Sequence, residues 1–109
     1  MSARKKSPAD ARLATLRAKV ERTDDAIVAL LRDRMRLARS IGAAKAAEGL
    51  PVLDTAREAR VVRHAAARAR ALGVPVEPVR GLFWGIIALC RDEQIAVRRR
   101  GTGASRRHA

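Results

Sequence analysis

The sequence of 109 residues has few of the residues on which several classes of function depend. Its only cysteine, Cys90, excludes an intrachain disulfide and a thiolate-rich metal site, and its histidines, His64 and His108, have no ligand spacing. Phe83 and Trp84 are the only aromatic residues, too few to stack the bases of single-stranded nucleic acid. The sequence therefore predicts neither a metal site nor a single-strand binding platform.

Long hydrophobic runs are also absent from the sequence. No stretch approaches the roughly 20 apolar residues that a transmembrane helix needs. Residues 1–6 are basic but lack the apolar segment of a secretory signal. We therefore expect a soluble, cytoplasmic protein without a membrane partner.

Acidic residues are scarce: 11 Asp and Glu stand against 24 Lys and Arg, for a formal net charge of +13. Eight of the cations lie in residues 1–9 and 98–109, which contain no acid, so residues 10–97 carry only +5 (13 minus 8). An excess of that size suits a small anionic ligand as well as a polymer. Charge alone therefore does not require a nucleic acid partner.

Glycine and proline are confined to a few positions while Ala, Leu, Val and Arg dominate, which is the composition of an all-α protein. Ser7 and Pro8 signal the start of a helix that we expect to continue to about Ala47. Glycine and proline then separate this helix from a second one, and the second from a third. The predicted organisation is a basic tail at residues 1–7, a domain at 8–97 with helices near 8–47, 54–72 and 78–97, and a basic, disordered tail at 98–109.

One stripe of the first helix is apolar at helical spacing. At about 1.5 Å per residue this helix would be on the order of 55 Å long, whereas the other two are each about half that length. A three-helix monomer would leave part of the stripe facing water, so we expect an intertwined helical homodimer. The stripe consists of Leu13, Leu16, Val20, Ile27, Leu31, Ala38 and Ile41.

Charged and amide side chains fall on the inner faces of all three predicted helices. Any one of them is most simply a rim residue or part of a structural ion pair, but burying several charges is costly unless they serve a ligand. Together they indicate a pocket for a small polyanion that also presents a hydroxyl or ether oxygen. They are Arg34 and Lys45 on the first helix, Asp54 and Glu58 with Arg57 at the margin on the second, and Cys90 and Gln94 on the third.

Arg17 lies at the edge of the apolar stripe of the first helix. It is roughly 40 Å along that helix from Lys45, so it cannot reach the pocket of its own chain. In an antiparallel dimer it would instead enter the pocket of the partner chain. Duplex DNA binding, in contrast, would require cations on an outer face, so we expect no nucleic acid partner.

These residues resemble an ordered set of motifs in a known family, the all-α chorismate mutases, over Leu13 to Gln94. The motifs are Leu16-Arg17, Asp24-Asp25 with Leu30-Leu31, Arg34, Ile41-Gly42-Ala43-Ala44-Lys45, Pro51-Val52-Leu53-Asp54, Arg57-Glu58, and Phe83 through Ile86-Ile87 to Gln94. The resemblance implies an isomerase that rearranges chorismate to prephenate in aromatic amino acid biosynthesis, as a homodimer without metal or organic cofactor.

The resemblance also implies a role for each pocket residue. Arg34 would hold one carboxylate of the substrate and Arg17 of the partner chain would hold the other. Arg57 would assist at one of them. Lys45 and Gln94 would donate to its ether oxygen. Asp54 and Glu58 would accept from or orient its ring hydroxyl, and Cys90 stands where some members carry serine, so that one substrate contact depends on a weakly donating thiol.

Relatives with the same fold act on isochorismate as pyruvate lyases or on the 4-amino analogue of chorismate, and the segments 81–83 and 93–95 also resemble the lyase branch. Asp54, Arg57 and Glu58 favour the mutase. The alternative from a different class is a basic helical nucleic-acid-binding protein, which the charged tails support and little else does. The sequence leaves open whether a partner enzyme activates the protein.

Overall fold

The computed structural model describes residue 5 and residues 7–108, with the side chains of residue 5 and residues 7–101. Three helices account for most of these residues: α1 (Pro8–Ala47), α2 (Thr55–Leu72) and α3 (Val76–His108). The described part of the chain contains no strand, which confirms the all-α prediction. None of its helices is both long enough and apolar enough to cross a membrane.

α1 begins and ends at signals that are visible in the sequence. At its start, the backbone N–H of Asp10 donates to the Ser7 hydroxyl at 3.1 Å, and the N–H of Ser7 donates to the Asp10 carboxylate at 3.0 Å. Hydrogen bonding of the Asp10 carboxylate by the backbone N–H of Ser7, and then by the Ser7 hydroxyl, lowers the pKa of Asp10. At its end, Gly49 has a φ of 69° and the N–H of Leu50 donates to the carbonyl of Lys45 at 2.8 Å.

α2 is also capped at both ends. The Asp54 carboxylate accepts from the backbone N–H of Arg57 at 3.0 Å, and Gly73 ends the helix with a φ of 70°. Its buried face is made mostly of small residues, which permit a close approach to α3, whose own buried residues include Ile87 and Cys90. Leu72 is 68% exposed, although helical spacing from Ala65 and Ala69 predicts it on that face. The buried residues of α2 are Val62, Ala65, Ala66 and Ala69.

α3 is longer than the sequence pattern predicts. It continues to His108 as a helix of 33 residues, which differs from the disordered tail predicted at residues 98–109 and from a length about half that of α1. The physical reason is that no proline follows Pro78 and that arginine and alanine are good helix formers. Arg98 also donates to the carbonyl of Leu50, which holds this part of α3 against the loop after α1.

The chain divides into two compact units, residues 1–32 and residues 33–109. In the first unit, the described residues form the N-terminal part of α1, and the large side chains of its predicted apolar stripe are mostly exposed. The second unit contains the end of α1 together with α2 and α3, and it holds all the buried core side chains of the described chain. The exposed members of the stripe in the first unit are Leu13 (45%), Leu16 (46%), Val20 (58%) and Ile27 (51%).

Candidate functional site

A cavity of about 310 Å³ lies within the second unit, among the end of α1, the loop after it, α2 and α3. Its volume is within the usual range for small-molecule sites. Apolar side chains such as Ala38, Ile41 and Ile87 form part of the wall. The polar and thiol side chains that line it are Arg34, Lys45, Asp54, Arg57, Glu58, Cys90, Arg91 and Gln94.

Every inner-face polar residue expected from the sequence, together with Cys90, therefore lines one cavity. Cys90 is buried in its wall, with 4% exposure. Arg17 is not among the lining residues; it lies in the first unit on α1 and is exposed. Arg91 lines the cavity although the sequence did not single it out. Arg91 could have been predicted from the sequence, because it is at helical spacing from Ile87 and Gln94, which were placed on the inner face of α3.

The Lys45 ammonium is fixed by two acceptors. Its Nζ donates to the carbonyl of Val52 at 2.8 Å and to Oε1 of Gln94 at 3.0 Å. Because an ammonium group only donates, the oxygen of the Gln94 amide faces it and the NH₂ group points elsewhere. Among the described residues, no acceptor is found for one N–H of Lys45 or for the NH₂ of Gln94, so both can donate to a ligand.

Gly42 sets the distance between α1 and α3 at this pair. A Cβ at Gly42 would lie 3.0 Å from the Cα of Gln94 and 3.3 Å from its carbonyl oxygen. Such contacts are tighter than packed interiors normally allow. The absence of a side chain at Gly42 therefore brings Gln94 close enough to accept from Lys45.

We expect Gly42→Ala to destabilise the protein and to lower any activity that depends on Gln94. Overpacking costs about 1–3 kcal/mol, which outweighs the gain of up to about 1 kcal/mol from replacing a helical glycine by alanine. Denaturant unfolding measures the change. The matched control is Gly81→Ala in α3, where an added Cβ meets nothing within 4 Å and only the gain is expected. Equal stability of the two variants would contradict this account.

Glu58 and Arg91 form a bidentate ion pair inside the cavity. Nη2 of Arg91 is 2.6 Å from Oε1 of Glu58, and Nε of Arg91 is 3.0 Å from Oε2. The hydrogen bonds to Glu58 raise the pKa of Arg91. The Glu58 carboxylate is thus held in one orientation by two parallel bonds.

Two further cations in the cavity are available to a ligand. Among the described residues, the guanidinium groups of Arg34 and Arg57 have no hydrogen-bond or ion-pair partner. The four cations that line the cavity exceed its two carboxylates, Asp54 and Glu58, by a formal charge of +2. A site with unpaired guanidinium groups and this charge fits a small dianion.

The described residues contain no group of three or more His, Cys, Asp or Glu side chains placed to hold a metal ion.

Two comparisons relate the chain to known proteins. A family model described as chorismate mutase type II matches residues 16–95, which include Arg17 and all the polar lining residues. This match confirms the resemblance drawn from the sequence motifs. The chain is also similar to a solved structure of a conserved hypothetical protein from Pyrococcus furiosus, with 30% identity over 82% of this chain and 99% of that chain and a TM-score of 0.61.

Proposed function

The chain belongs to the chorismate mutase type II family, and from that premise we propose that it rearranges chorismate to prephenate as a cytoplasmic step of aromatic amino acid biosynthesis. The observation that carries the proposal is the cavity with a formal charge of +2, in which Lys45 and Gln94 contact each other beside unpaired guanidinium groups. Chorismate is a dianion with an ether oxygen and a ring hydroxyl, so these groups match its chemistry. In the reaction one C–O bond breaks and one C–C bond forms without proton transfer.

Holding the two carboxylates is the first contribution to catalysis. Arg34 would bind one of them through a planar fork of donors, and Arg57 would assist. The partner's Arg17 would bind the other. Fixing both ends of the substrate selects the folded conformer in which the reacting carbons are close, which removes much of the entropic part of the barrier.

Stabilising charge on the ether oxygen is the second contribution. Negative charge accumulates there as the C–O bond lengthens. The remaining N–H of Lys45 and the NH₂ of Gln94 would donate to this oxygen, and their mutual contact at 3.0 Å orients both groups before the reaction. Donors that are already oriented stabilise the transition state more than the ground state.

The ring hydroxyl would be held by the acidic side of the cavity. Asp54 caps α2 and Glu58 lies one helical turn further, so both carboxylates reach the cavity from the same helix end. They would accept from the hydroxyl. Cys90 would replace the serine hydroxyl of some relatives with a weaker donor at the wall.

We further propose a homodimer in which the second copy covers the exposed stripe of α1 and contributes Arg17. The stripe residues Leu16, Val20 and Ile27 are 46–58% exposed, which is unusual for a row of large apolar side chains. Arg17 adjoins this row in the sequence, so pairing of the stripes would carry it to the neighbouring chain. In a two-fold dimer each chain would give Arg17 and receive one.

The direct test is incubation of the purified protein with chorismate while its ultraviolet absorbance is followed. We expect loss of chorismate and formation of prephenate with a kcat on the order of 1–100 s⁻¹. Parallel reactions with isochorismate and the 4-amino analogue test the related activities, and pyruvate release would identify a lyase. Loss of absorbance without prephenate would contradict the mutase assignment. Salt-sensitive DNA binding by the chain without any turnover would favour a nucleic acid function.

A further inference from the structure

The ion pair between Glu58 and Arg91 needs an explanation beyond helix packing. It lines the ligand cavity rather than the surface, and the side chains are only 16% and 33% exposed. Both oxygens of Glu58 are engaged by Arg91. This carboxylate is also one of the two that the proposed function assigns to the ring hydroxyl of the substrate.

We propose that Arg91 is a positioning residue, which acts through Glu58 by holding its carboxylate as an oriented acceptor for the hydroxyl of a dianionic ligand. This inference rests on the proposed function for the identity of the ligand. A carboxylate offers about four lone-pair sites, of which Arg91 occupies two. Each oxygen of Glu58 can therefore accept one further hydrogen bond without leaving Arg91.

The neighbouring cations explain why Glu58 needs such a partner. The guanidinium groups of Arg34 and Arg57 line the same cavity and have no partner among the described residues. A Glu58 carboxylate released from Arg91 would be attracted to them, because they are unpaired opposite charges that line the same cavity. Arg91 thus keeps Glu58 in place and leaves the other cations for the carboxylates of the ligand.

Arg91 also contributes to the charge of the cavity. Without it, three cations would face two carboxylates and the formal charge would fall from +2 to +1. Charge and orientation can be separated by substitution, because lysine keeps the charge but lacks the planar fork of arginine, whereas methionine keeps neither.

The test compares Arg91→Lys and Arg91→Met in the full-length protein. We expect Arg91→Lys to lower kcat about 10-fold with KM changed by less than about 3-fold, since the fork contributes mainly to orientation in the transition state. Arg91→Met should in addition raise KM about 10-fold through the lost charge. Circular dichroism and the thermal midpoint report whether each variant is folded.

A matched control is available in another arginine–glutamate pair of this unit. Nε of Arg39 on α1 is 2.8 Å from Oε2 of Glu93 on α3, and neither residue lines the cavity. Arg39→Lys should therefore leave kcat and KM within about 2-fold. If Arg91→Lys has the same kinetics as Arg39→Lys, the proposal is wrong.

A double-mutant cycle tests whether Arg91 acts through Glu58. In a Glu58→Gln background, Arg91→Lys should lower kcat by less than about 2-fold, because the carboxylate that it orients is already gone. A role of Arg91 that does not pass through Glu58 would give the same loss in both backgrounds. Full additivity of the two substitutions would therefore overturn the proposal.

A binding experiment separates failure of this inference from failure of the proposed function. Calorimetry with prephenate, a stable hydroxylated dicarboxylate, requires no turnover. If the wild type binds prephenate, Arg91→Met weakens binding about 10-fold and Arg39→Met does not, the contribution of Arg91 to the ligand cavity holds even if chorismate is not converted. If chorismate is converted but Arg91→Lys changes neither binding nor kcat, only this inference fails. If the wild type neither binds prephenate nor converts chorismate, both fail.

Discussion

Lys45→Ala is expected to lower kcat for chorismate by about 10³-fold or more, with a much smaller effect on KM. The ether oxygen carries little charge in the ground state and acquires it as the C–O bond breaks. A cationic donor at this position therefore stabilises the transition state far more than the bound substrate. The loss should exceed that from Gly42→Ala, which moves Gln94 but leaves the ammonium of Lys45 in the cavity.

Structural effects of the substitution must be measured separately. Lys45 also donates to the carbonyl of Val52 after the end of α1, and loss of such a bond costs about 1–3 kcal/mol of folding free energy. Lys45→Met retains most of the aliphatic stem, so a similar loss of kcat with a smaller fall in thermal midpoint would assign the effect to the charge. Arg63→Ala removes an exposed cation of α2 outside the cavity and should leave kcat unchanged. Near-normal turnover of Lys45→Met would refute the role of Lys45.

The cavity could be predicted from the sequence because its residues interrupt regular apolar faces. Arg34 and Lys45 lie at helical spacing from Ala38 and Ile41 on α1. At 3.6 residues per turn, all four side chains point to the same side of the helix. Gln94 followed from Ile87 in the same way. The ends of α2 could also be predicted from the local sequence. Asp54 and Gly73 cap the helix by hydrogen bonds to backbone groups only a few residues away.

The parts that were missed depend on partners that are distant in the sequence or on where a helix ends. Arg91 lies at the margin of the inner face of α3, where a long side chain can point either to the cavity or to solvent. Its direction depends on its ion-pair partner, Glu58, which is 33 residues away in the sequence. The extension of α3 beyond Val97 involves the contact of Arg98 with Leu50, which no local pattern encodes. Leu72 is exposed because it is the last residue of α2, although its spacing matches the buried face.

A mixture of Arg17→Ala and Arg34→Ala chains is expected to regain activity that neither variant has alone. Each single variant should lose about 10²-fold or more, because one carboxylate of the substrate is no longer clamped. After joint unfolding and refolding at equal concentrations, about half of the dimers should be mixed. Each mixed dimer has one site with both arginines and one site with neither, so about a quarter of wild-type activity should return.

The matched control mixes Arg34→Ala with Lys45→Ala chains. Both residues line the cavity of the same chain, so every site in such a mixed dimer lacks one of them and no activity should return. Recovery in both mixtures would mean that refolding, rather than a shared site, explains the result. Absence of recovery in the first mixture, with light scattering showing a folded monomer at micromolar concentration, would place Arg17 outside the site. The exposed stripe of Leu16, Val20 and Ile27 would then require a different explanation.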